Sequence, residues 1–177
     1  MILLVFLFDV SSWDYFLNRI DFAETKNLSA LVFLSGWERA FLNLKDTFFY
    51  GVGFQQFGIV GELGSYQKIL GSLGFEKLNL YDGRSTGSKL IGELGILGIA
   101  LISIYLIYFI KIFLTLKKII NKNTSLQFVF FASIFLMSSV EFFIRGVGYF
   151  SPTMFLFFAS IMFFMKKNIL RGAKIVI

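Results

Sequence analysis

Six basic side chains in the first half of the chain could contact phosphate groups. They are Arg39, Lys45, Lys68, Lys77, Arg84 and Lys89. Guanidinium groups bind phosphate oxygens through two parallel hydrogen bonds, whereas lysines bind them as point charges. The set predicts a phosphate-bearing, anionic ligand. For each residue, and for the lysines above all, the alternative is a solvated charge on an amphipathic helix.

Three further ionisable residues lie beside or inside hydrophobic runs. Glu93 is just inside one run, with Lys89 four residues before it, and Glu141 and Arg145 stand four residues apart between two others. Ionisable groups in such places are costly and face a polar cavity or a partner. We therefore expect Glu93 to have a functional role. Glu141 and Arg145 either form a mutual ion pair or contact substrate.

Composition excludes several kinds of chemistry. The 177 residues are 56% hydrophobic and only 16% charged, with no cysteine and no histidine. Thiol nucleophiles, disulfides, imidazole bases and thiolate or imidazole metal sites are thus excluded, and we expect no metal and no cofactor. The net charge of +6 does not predict nucleic-acid binding, because the basic residues flank apolar runs instead of covering one soluble face.

Three hydrophobic runs supply the elements that must position these residues. Uncharged stretches cover residues 94–110, extending back to Leu90 if Glu93 is tolerated, and also 123–140 and 146–165. Each is long enough, or nearly so, to cross a bilayer core of about 30 Å. The chain is predicted to be an all-α integral membrane protein with about three transmembrane helices, the last one starting near Pro152.

The basic residues also predict the orientation in the membrane. One cluster without acids lies between runs and another follows the last run: Lys111, Lys117, Lys118 and Lys122, then Lys166, Lys167, Arg171 and Lys174. Residues 9–93 hold eight basic and ten acidic residues. Since cytoplasmic loops carry the Lys/Arg excess, both clusters are expected in the cytoplasm and the stretch before residue 88 on the opposite side.

The resulting division has three parts. Residues 1–8 are too short to cross a membrane and are interpreted as the last turns of a transmembrane helix whose beginning is missing. Residues 9–87 form a long non-cytoplasmic loop. Residues 88–177 form the transmembrane region with a cytoplasmic C-terminal tail.

Two amphipathic helices are predicted in the loop. Ser35 and Glu38 match a capping box that would start the first helix, and the Gly51–Gly53 turn would end it. The apolar face of the first helix would carry Trp37, Phe41, Leu44 and Phe48. The apolar face of the second helix would carry Tyr66, Ile69, Leu70 and Leu73. Both helices could lie at headgroup level with the apolar side down.

Farther on, Gly92, Gly95 and Gly98 are interpreted as a helix-packing face, with a hinge as the alternative.

Two motifs resemble a known family. SGWERAFLNLKDTFFYGVGFQQFG, residues 35–58, and GRSTGSKLIGELGILGI, residues 83–99, resemble segments of bacterial O-antigen polymerases and ligases. In that family an arginine opens an amphipathic helix, a G-V-G-F turn follows, and a segment with Glu and G-x-x-G re-enters the membrane. Family members have ten or more spans, so the chain resembles the C-terminal part of a larger polytopic glycosyltransferase.

The resemblance implies a reaction and a set of roles. A glycan would be transferred from undecaprenyl pyrophosphate to another lipid-linked repeat unit at the periplasmic face of the bacterial inner membrane. Arg39 and Arg84 would neutralise the departing pyrophosphate, and Glu93 or Glu62 would serve as the base. Substrate-binding roles would fall to Lys45, Gly51, Gly53, Lys68, Lys89, Glu141 and Arg145. Partners would be the lipid-linked oligosaccharide and membrane lipid, with a chain-length regulator and a flippase as further candidates.

Alternative functions stay open. Ligases of this superfamily usually carry a histidine eleven residues before the first glycine of the G-x-x-G pair, and that position is Arg84 here, which favours a polymerase. A ligase is the second possibility, and a non-catalytic remnant or half-protein that needs a separate N-terminal part is the third. A transporter or channel subunit is disfavoured because the spans are almost entirely Phe, Ile and Leu.

Overall fold

A computed structural model describes residues 27–119 and 125–167, which form six helices and no strand. In chain order they are α1 (Leu28–Asp46), α2 (Ser65–Ser72), α3 (Thr86–Leu94), α4 (Ile96–Ile119), α5 (Leu126–Phe143) and α6 (Pro152–Lys167). The all-helical prediction is confirmed for this part of the chain. The proposed helix remnant at residues 1–8 and the basic residues Lys122, Arg171 and Lys174 lie outside it.

Two helices are long and apolar enough to cross a membrane. Residues Ile96–Lys118 of α4 make a 23-residue segment, and α5 has 18 residues. At about 1.5 Å per residue, the first spans about 35 Å and the second about 27 Å. Helix α6 has 16 residues and reaches only about 24 Å. The third span and the placement of the loop therefore remain predictions.

An aromatic cluster holds α4, α5 and α6 together. The Tyr105 ring of α4 lies 5.1 Å from Phe135 and 4.7 Å from Phe142, both on α5, and 5.7 Å from Phe157 on α6. Its hydroxyl donates to the Phe135 carbonyl at 3.2 Å. Each such ring pair contributes about 0.5–1.5 kcal/mol beyond the area it buries. The phenylalanine excess thus supplies the packing of the bundle.

The predicted start of α1 is wrong. The helix begins at Leu28, where the side chain of Asn27 accepts a hydrogen bond from the Ser29 amide at 3.1 Å. Ser35 lies in the middle of the helix and donates to the Val32 carbonyl, so it caps nothing. An asparagine cap before an apolar run is itself a good helix start, and it lies earlier in the chain than the capping box.

Glu38 caps a different helix from the one predicted. Its carboxylate accepts from the amides of Ser65 and Tyr66 at 2.9 and 3.0 Å, which are the first residues of α2. A carboxylate there satisfies unpaired amides and favours the positive end of the helix dipole. This contact ties α1 to α2 across the loop.

The predicted apolar face of α1 is only partly buried within the protein, since Leu44 is 5% exposed, and its placement against the membrane stays a prediction. Phe41 and Phe48 are 61% and 84% exposed, whereas Arg39, Ala40 and Asn43 are buried. Small residues explain the difference, because a side chain added at Gly92 of α3 would lie 3.3 Å from the Ala40 Cα. The two helices approach through this small-residue contact. Trp37 also lies against α3, 3.5 Å from a carbon added at Gly87, whereas Phe41 is exposed.

The boundary of the first span differs from the prediction as well. The helical run breaks at Gly95, whose φ is +60°, so α3 ends at Leu94 and α4 begins at Ile96. Helix α4 then continues past Lys111 through Lys117 and Lys118, which occupy its end instead of following it. Gly92 packs against α1, as the packing interpretation predicts, and Gly95 forms the break; the hinge interpretation stays a prediction.

The end of α1 differs from the prediction, whereas the start of α6 agrees with it. Helix α1 ends at Asp46 with Thr47 as its C-cap, earlier than the predicted end at the glycine turn. Pro152 is the first residue of α6, as predicted, a position where proline loses no helical hydrogen bond.

Candidate functional site

The Gly51–Gly53 turn docks onto the break between α3 and α4. The amides of Val52 and Gly53 donate to the carbonyls of Gly92 and Glu93, both at 3.0 Å, and the Ile96 amide donates to Phe49 at 2.8 Å. These bonds satisfy carbonyls that the end of α3 leaves free. The turn is thus fixed to the N-terminal end of α4.

Replacing Gly51 by alanine should lower the free energy of unfolding by about 2–4 kcal/mol. Its φ is +80°, and an added Cβ would lie 2.6 Å from the Gly95 nitrogen, so both the backbone and the docked turn oppose it. The matched control is Gly74→Ala. Gly74 has a φ of +83° with nothing within 4 Å of the added carbon, so only about 1–2 kcal/mol of backbone strain remains. Denaturant titration of the detergent-solubilised variants measures the free energy of unfolding of each. An equal loss of stability in Gly51→Ala and Gly74→Ala would contradict the docking of the turn.

Glu93 anchors the segment that follows the turn. Its Oε1 accepts from the Phe57 amide at 3.1 Å, and its Oε2 accepts from the Gln55 amide at 3.0 Å and the Tyr149 hydroxyl at 2.9 Å. The side chain is fully buried, and the Lys89 Nζ lies 3.8 Å away. These bonds occupy both carboxylate oxygens. They favour a structural role for Glu93 over the predicted role as a base.

Lys89 is likewise engaged inside the fold. Its Nζ donates to the Gln55 side chain at 3.1 Å and to the Tyr81 carbonyl at 3.0 Å, and it lies 5.4 Å from the centre of the Tyr149 ring. Burial and the negative charge of Glu93 raise the pKa of Tyr149, so its hydroxyl stays protonated and donates. Lys89 therefore holds protein groups in place, and little of its charge is left for a ligand.

Glu141 joins α3, α5 and α6. Its carboxylate accepts from the hydroxyls of Thr86, Ser151 and Thr153 at 3.3, 3.1 and 2.8 Å, and from the Val147 amide at 3.2 Å. Arg145 is exposed, and in residues 27–119 and 125–167 the single ion pair is Lys89–Glu93. The predicted Glu141–Arg145 ion pair is wrong. Hydroxyls and an amide satisfy the carboxylate instead.

Arg39 and Arg84 are buried, and only part of each guanidinium group is hydrogen-bonded. Arg39 is 3% exposed; it makes one hydrogen bond, from Nη2 to the Val60 carbonyl at 3.2 Å, and its guanidinium carbon lies 5.8 Å from the centre of the Phe57 ring. Arg84 is 4% exposed, and its Nη2 donates to the Gln67 side chain at 2.6 Å and the Leu78 carbonyl at 2.9 Å. In both, Nε and Nη1 are buried with no hydrogen-bond partner. Two guanidinium groups thus present unused donors inside the protein.

The electrostatics of this pair are unfavourable without a counter-ion. The pKa of Arg84 falls to about 10, chiefly through burial and then through the positive charge of Arg39, while Asp82 opposes the shift. Burial also lowers the pKa of Arg39. A buried charge that lacks a partner costs several kcal/mol. The site is therefore short of negative charge.

Two further features mark this region as unusual. Asn43, one helical turn after Arg39, is fully buried, and neither its Oδ1 nor its Nδ2 has a partner. Arg84 has a φ of +65°, a left-handed conformation that costs a non-glycine residue about 1 kcal/mol and is concentrated at functional sites. Sequence reasoning missed Asn43. The available signal was the four-residue spacing of Ser35, Arg39 and Asn43 on one face of α1.

Two cavities lie in this part of the protein; Arg84 lines one of them, whereas Arg39 and Asn43 line neither. The first has a volume of about 580 Å³ and is lined by Arg84 and Arg145 together with the start of α1. The second, of about 470 Å³, is lined by Lys89, Gln55 and several aromatic residues. Asp82 and Val147 line both, so the cavities are neighbours.

The predicted site residues therefore divide into groups. Arg84 and Arg145 meet at the first cavity, and Lys89 faces the second. Lys45 and Lys68 are exposed on α1 and α2 and line neither cavity. Within the described ranges, no group of three acidic side chains could hold a metal ion.

Comparison with known proteins adds no relative. No protein-family model, curated protein or solved structure matches the chain.

Proposed function

We propose that this chain is a membrane glycosyltransferase of the O-antigen polymerase class. It transfers glycan from undecaprenyl pyrophosphate to another lipid-linked repeat unit at the periplasmic face of the inner membrane. The observation that carries the proposal is the pair Arg39 and Arg84, each buried with two unpartnered guanidinium nitrogens. The family resemblance of the two motifs supplies the reaction.

A pyrophosphate ester is the ligand class that this pair fits. Its oxygens accept the unused N–H groups through charge-assisted bonds, which contribute about 1.5–3 kcal/mol each. In the transfer step the bond between the sugar and the pyrophosphate breaks, and negative charge grows on the departing oxygen. Donors held ready for charge that develops in the transition state accelerate such a step.

The first cavity suits a lipid carrier of this anion. Arg84 is buried at its wall and Arg145 is exposed beside it, while the rest of its lining includes apolar side chains: Leu28, Val32, Phe33, Phe143, Ile144 and Val147. A polyprenyl chain is apolar and a pyrophosphate is anionic, so an amphiphilic ligand matches both kinds of wall.

The charge distribution along α4 supports a periplasmic site. The Gly51–Gly53 turn docks at the start of α4, and Lys117 and Lys118 lie in its last turn. The two ends are about 35 Å apart, enough to cross a bilayer core of about 30 Å. If the lysines mark the cytoplasmic end, the arginine pair belongs on the other side.

Arg84 also favours the polymerase over the ligase. At the position where ligases carry histidine, this chain has a buried arginine whose pKa, even lowered to about 10, keeps it protonated at neutral pH. It stabilises an anion and cannot accept a proton. A base for the acceptor hydroxyl must therefore come from another residue.

The proposal is tested by lipid binding to the purified chain in nanodiscs. We expect undecaprenyl pyrophosphate to bind at least about 10- to 100-fold more tightly than undecaprenol, because only the former accepts the charge-assisted bonds. Sodium pyrophosphate as a competitor separates recognition of the anion from that of the whole lipid. Equal affinity for the two lipids would contradict the proposal.

A further inference from the structure

Asp82 stands at the wall that the two cavities share. It lines the cavity of Arg84 and Arg145 and also the cavity of Lys89 and Gln55. It lies two residues before Arg84, and its negative charge acts on that guanidinium. A group that faces both cavities can contact ligands in both at once.

The carboxylate of Asp82 is free, unlike those of its neighbours. Glu38, Glu93 and Glu141 each accept three or more hydrogen bonds from amides or hydroxyls. Asp82 is half-buried, and no hydrogen bond or ion pair engages its carboxylate among the residues that the structure describes. Both of its oxygens can therefore accept a proton or a hydrogen bond from a ligand.

The second cavity suits a neutral, hydroxylated ligand better than an anion. Its cation, Lys89, already donates to Gln55 and Tyr81 and lies beside Glu93. Tyr81 and Phe150 are 52% and 73% exposed at its lining. Aromatic rings cover the apolar C–H face of a sugar, and polar groups such as the Gln55 amide and Asp82 match its hydroxyls.

We propose that the second cavity binds the acceptor sugar and that Asp82 accepts the proton of its attacking hydroxyl. This inference rests on the proposed function, because the donor must lie on Arg84 in the first cavity. The hydroxyl proton moves to an Asp82 oxygen as the hydroxyl oxygen bonds to the anomeric carbon of the donor sugar. The bond from that carbon to the pyrophosphate oxygen breaks, and its electron pair stays on undecaprenyl pyrophosphate, beside Arg84.

The placement of Asp82 fits this step for two reasons. A base must reach the acceptor hydroxyl as it approaches the donor sugar, and a residue that lines both cavities can do so. After the transfer the protonated carboxyl is neutral, so it does not repel the departing pyrophosphate. Glu93 cannot accept this proton because hydrogen bonds occupy both of its oxygens. Arg84 cannot accept it because its guanidinium group is already protonated.

The test measures turnover and binding separately for Asp82→Asn. Lipid-linked repeat units are purified from a host strain that lacks this chain and are supplied to the protein in nanodiscs. We expect kcat to fall by about 10²- to 10⁴-fold, the usual effect of losing a general base. The affinity for undecaprenyl pyrophosphate should stay within about twofold, because Arg39 and Arg84 remain.

A second variant tests the sugar site independently of the base. Tyr81→Ala should raise KM for the repeat unit by about tenfold, which corresponds to the loss of one aromatic contact, with kcat little changed. Tyr50→Ala is the matched control, because Tyr50 is 83% exposed and lines neither cavity.

Three outcomes would overturn the inference. A normal kcat in Asp82→Asn, with normal lipid binding, would show that Asp82 is not the base; it would not contradict the proposed function. Loss of lipid binding in Asp82→Asn shows that Asp82 acts only by supporting Arg84. Equal KM values in Tyr81→Ala and Tyr50→Ala remove the sugar site. Failure of wild type to bind undecaprenyl pyrophosphate, by contrast, removes the proposed function itself.

Discussion

Polymer formation is expected to fall by about 10²- to 10³-fold when Arg84 is replaced by glutamine, the range found for deleting one donor to a developing anion. Glutamine keeps a polar side chain of moderate length, but it loses the positive charge and the Nε and Nη1 donors that have no protein partner. The measurement is the ladder of long polysaccharide chains on a gel, made by the host that carries the variant.

Lys68→Gln is the control for this experiment. It removes the same charge from an exposed position on α2, so the ladder should remain. Protein level and thermal unfolding of both variants establish that each folds. A full ladder from a folded Arg84→Gln protein would rule out the role of this guanidinium in the reaction.

Replacing Glu93 by glutamine is expected to lower the free energy of unfolding by about 3–5 kcal/mol, the effect of removing one partner from a buried, hydrogen-bonded charge. The carboxylate accepts from two backbone amides and from Tyr149. A glutamine side chain has one acceptor oxygen, and its NH₂ group would face at least one donor. Lys89 would also lose its ion-pair partner.

Glu62→Gln is the matched comparison, because Glu62 is exposed and was the other predicted base. Its stability should match wild type in a denaturant titration. If Glu93→Gln keeps wild-type stability and yet loses turnover, the structural role is wrong and the role as a base is restored.

Much of the architecture could be predicted from the sequence. The uncharged runs predicted the two long helices. The predicted glycine turn is present and docks onto α3, and Pro152 lies at the start of α6. These features are local, since they depend on the length of a run or on the conformational limits of one residue. The cluster of lysines at the end of α4 was likewise visible in the sequence, because it directly follows an uncharged run.

The burial of Arg39 and Asn43 on α1 could not be predicted from its pattern. The rule that the apolar face turns inward assumes an apolar interior and water outside. Here the polar residues Arg39 and Asn43 are buried against the loop, and Phe41 is exposed. In a protein beside lipid, a polar interior site and an aromatic outer face are both acceptable, and the placement of the apolar side of α1 at headgroup level stays a prediction.

The candidate site was predicted in part. Arg39 and Arg84 were identified by residue type and resemblance, but the roles of Glu93 and Glu141 depend on partners far along the chain. Glu93 binds the Gln55 amide 38 residues away, and Glu141 binds Thr86 55 residues away. Asp82 was missed for the same reason, because its place between two cavities arises only from the tertiary fold.

The most direct test of the account is the dissociation constant of undecaprenyl pyrophosphate from the Arg39→Met protein in nanodiscs. Methionine keeps the length and the apolar stem of Arg39 and removes its charge and donors. The account predicts binding about 10- to 100-fold weaker than to wild type, equivalent to one or two lost charge-assisted bonds, with the affinity for undecaprenol unchanged. Equal affinity of both proteins for the pyrophosphate lipid would contradict the claim that these buried arginines bind it.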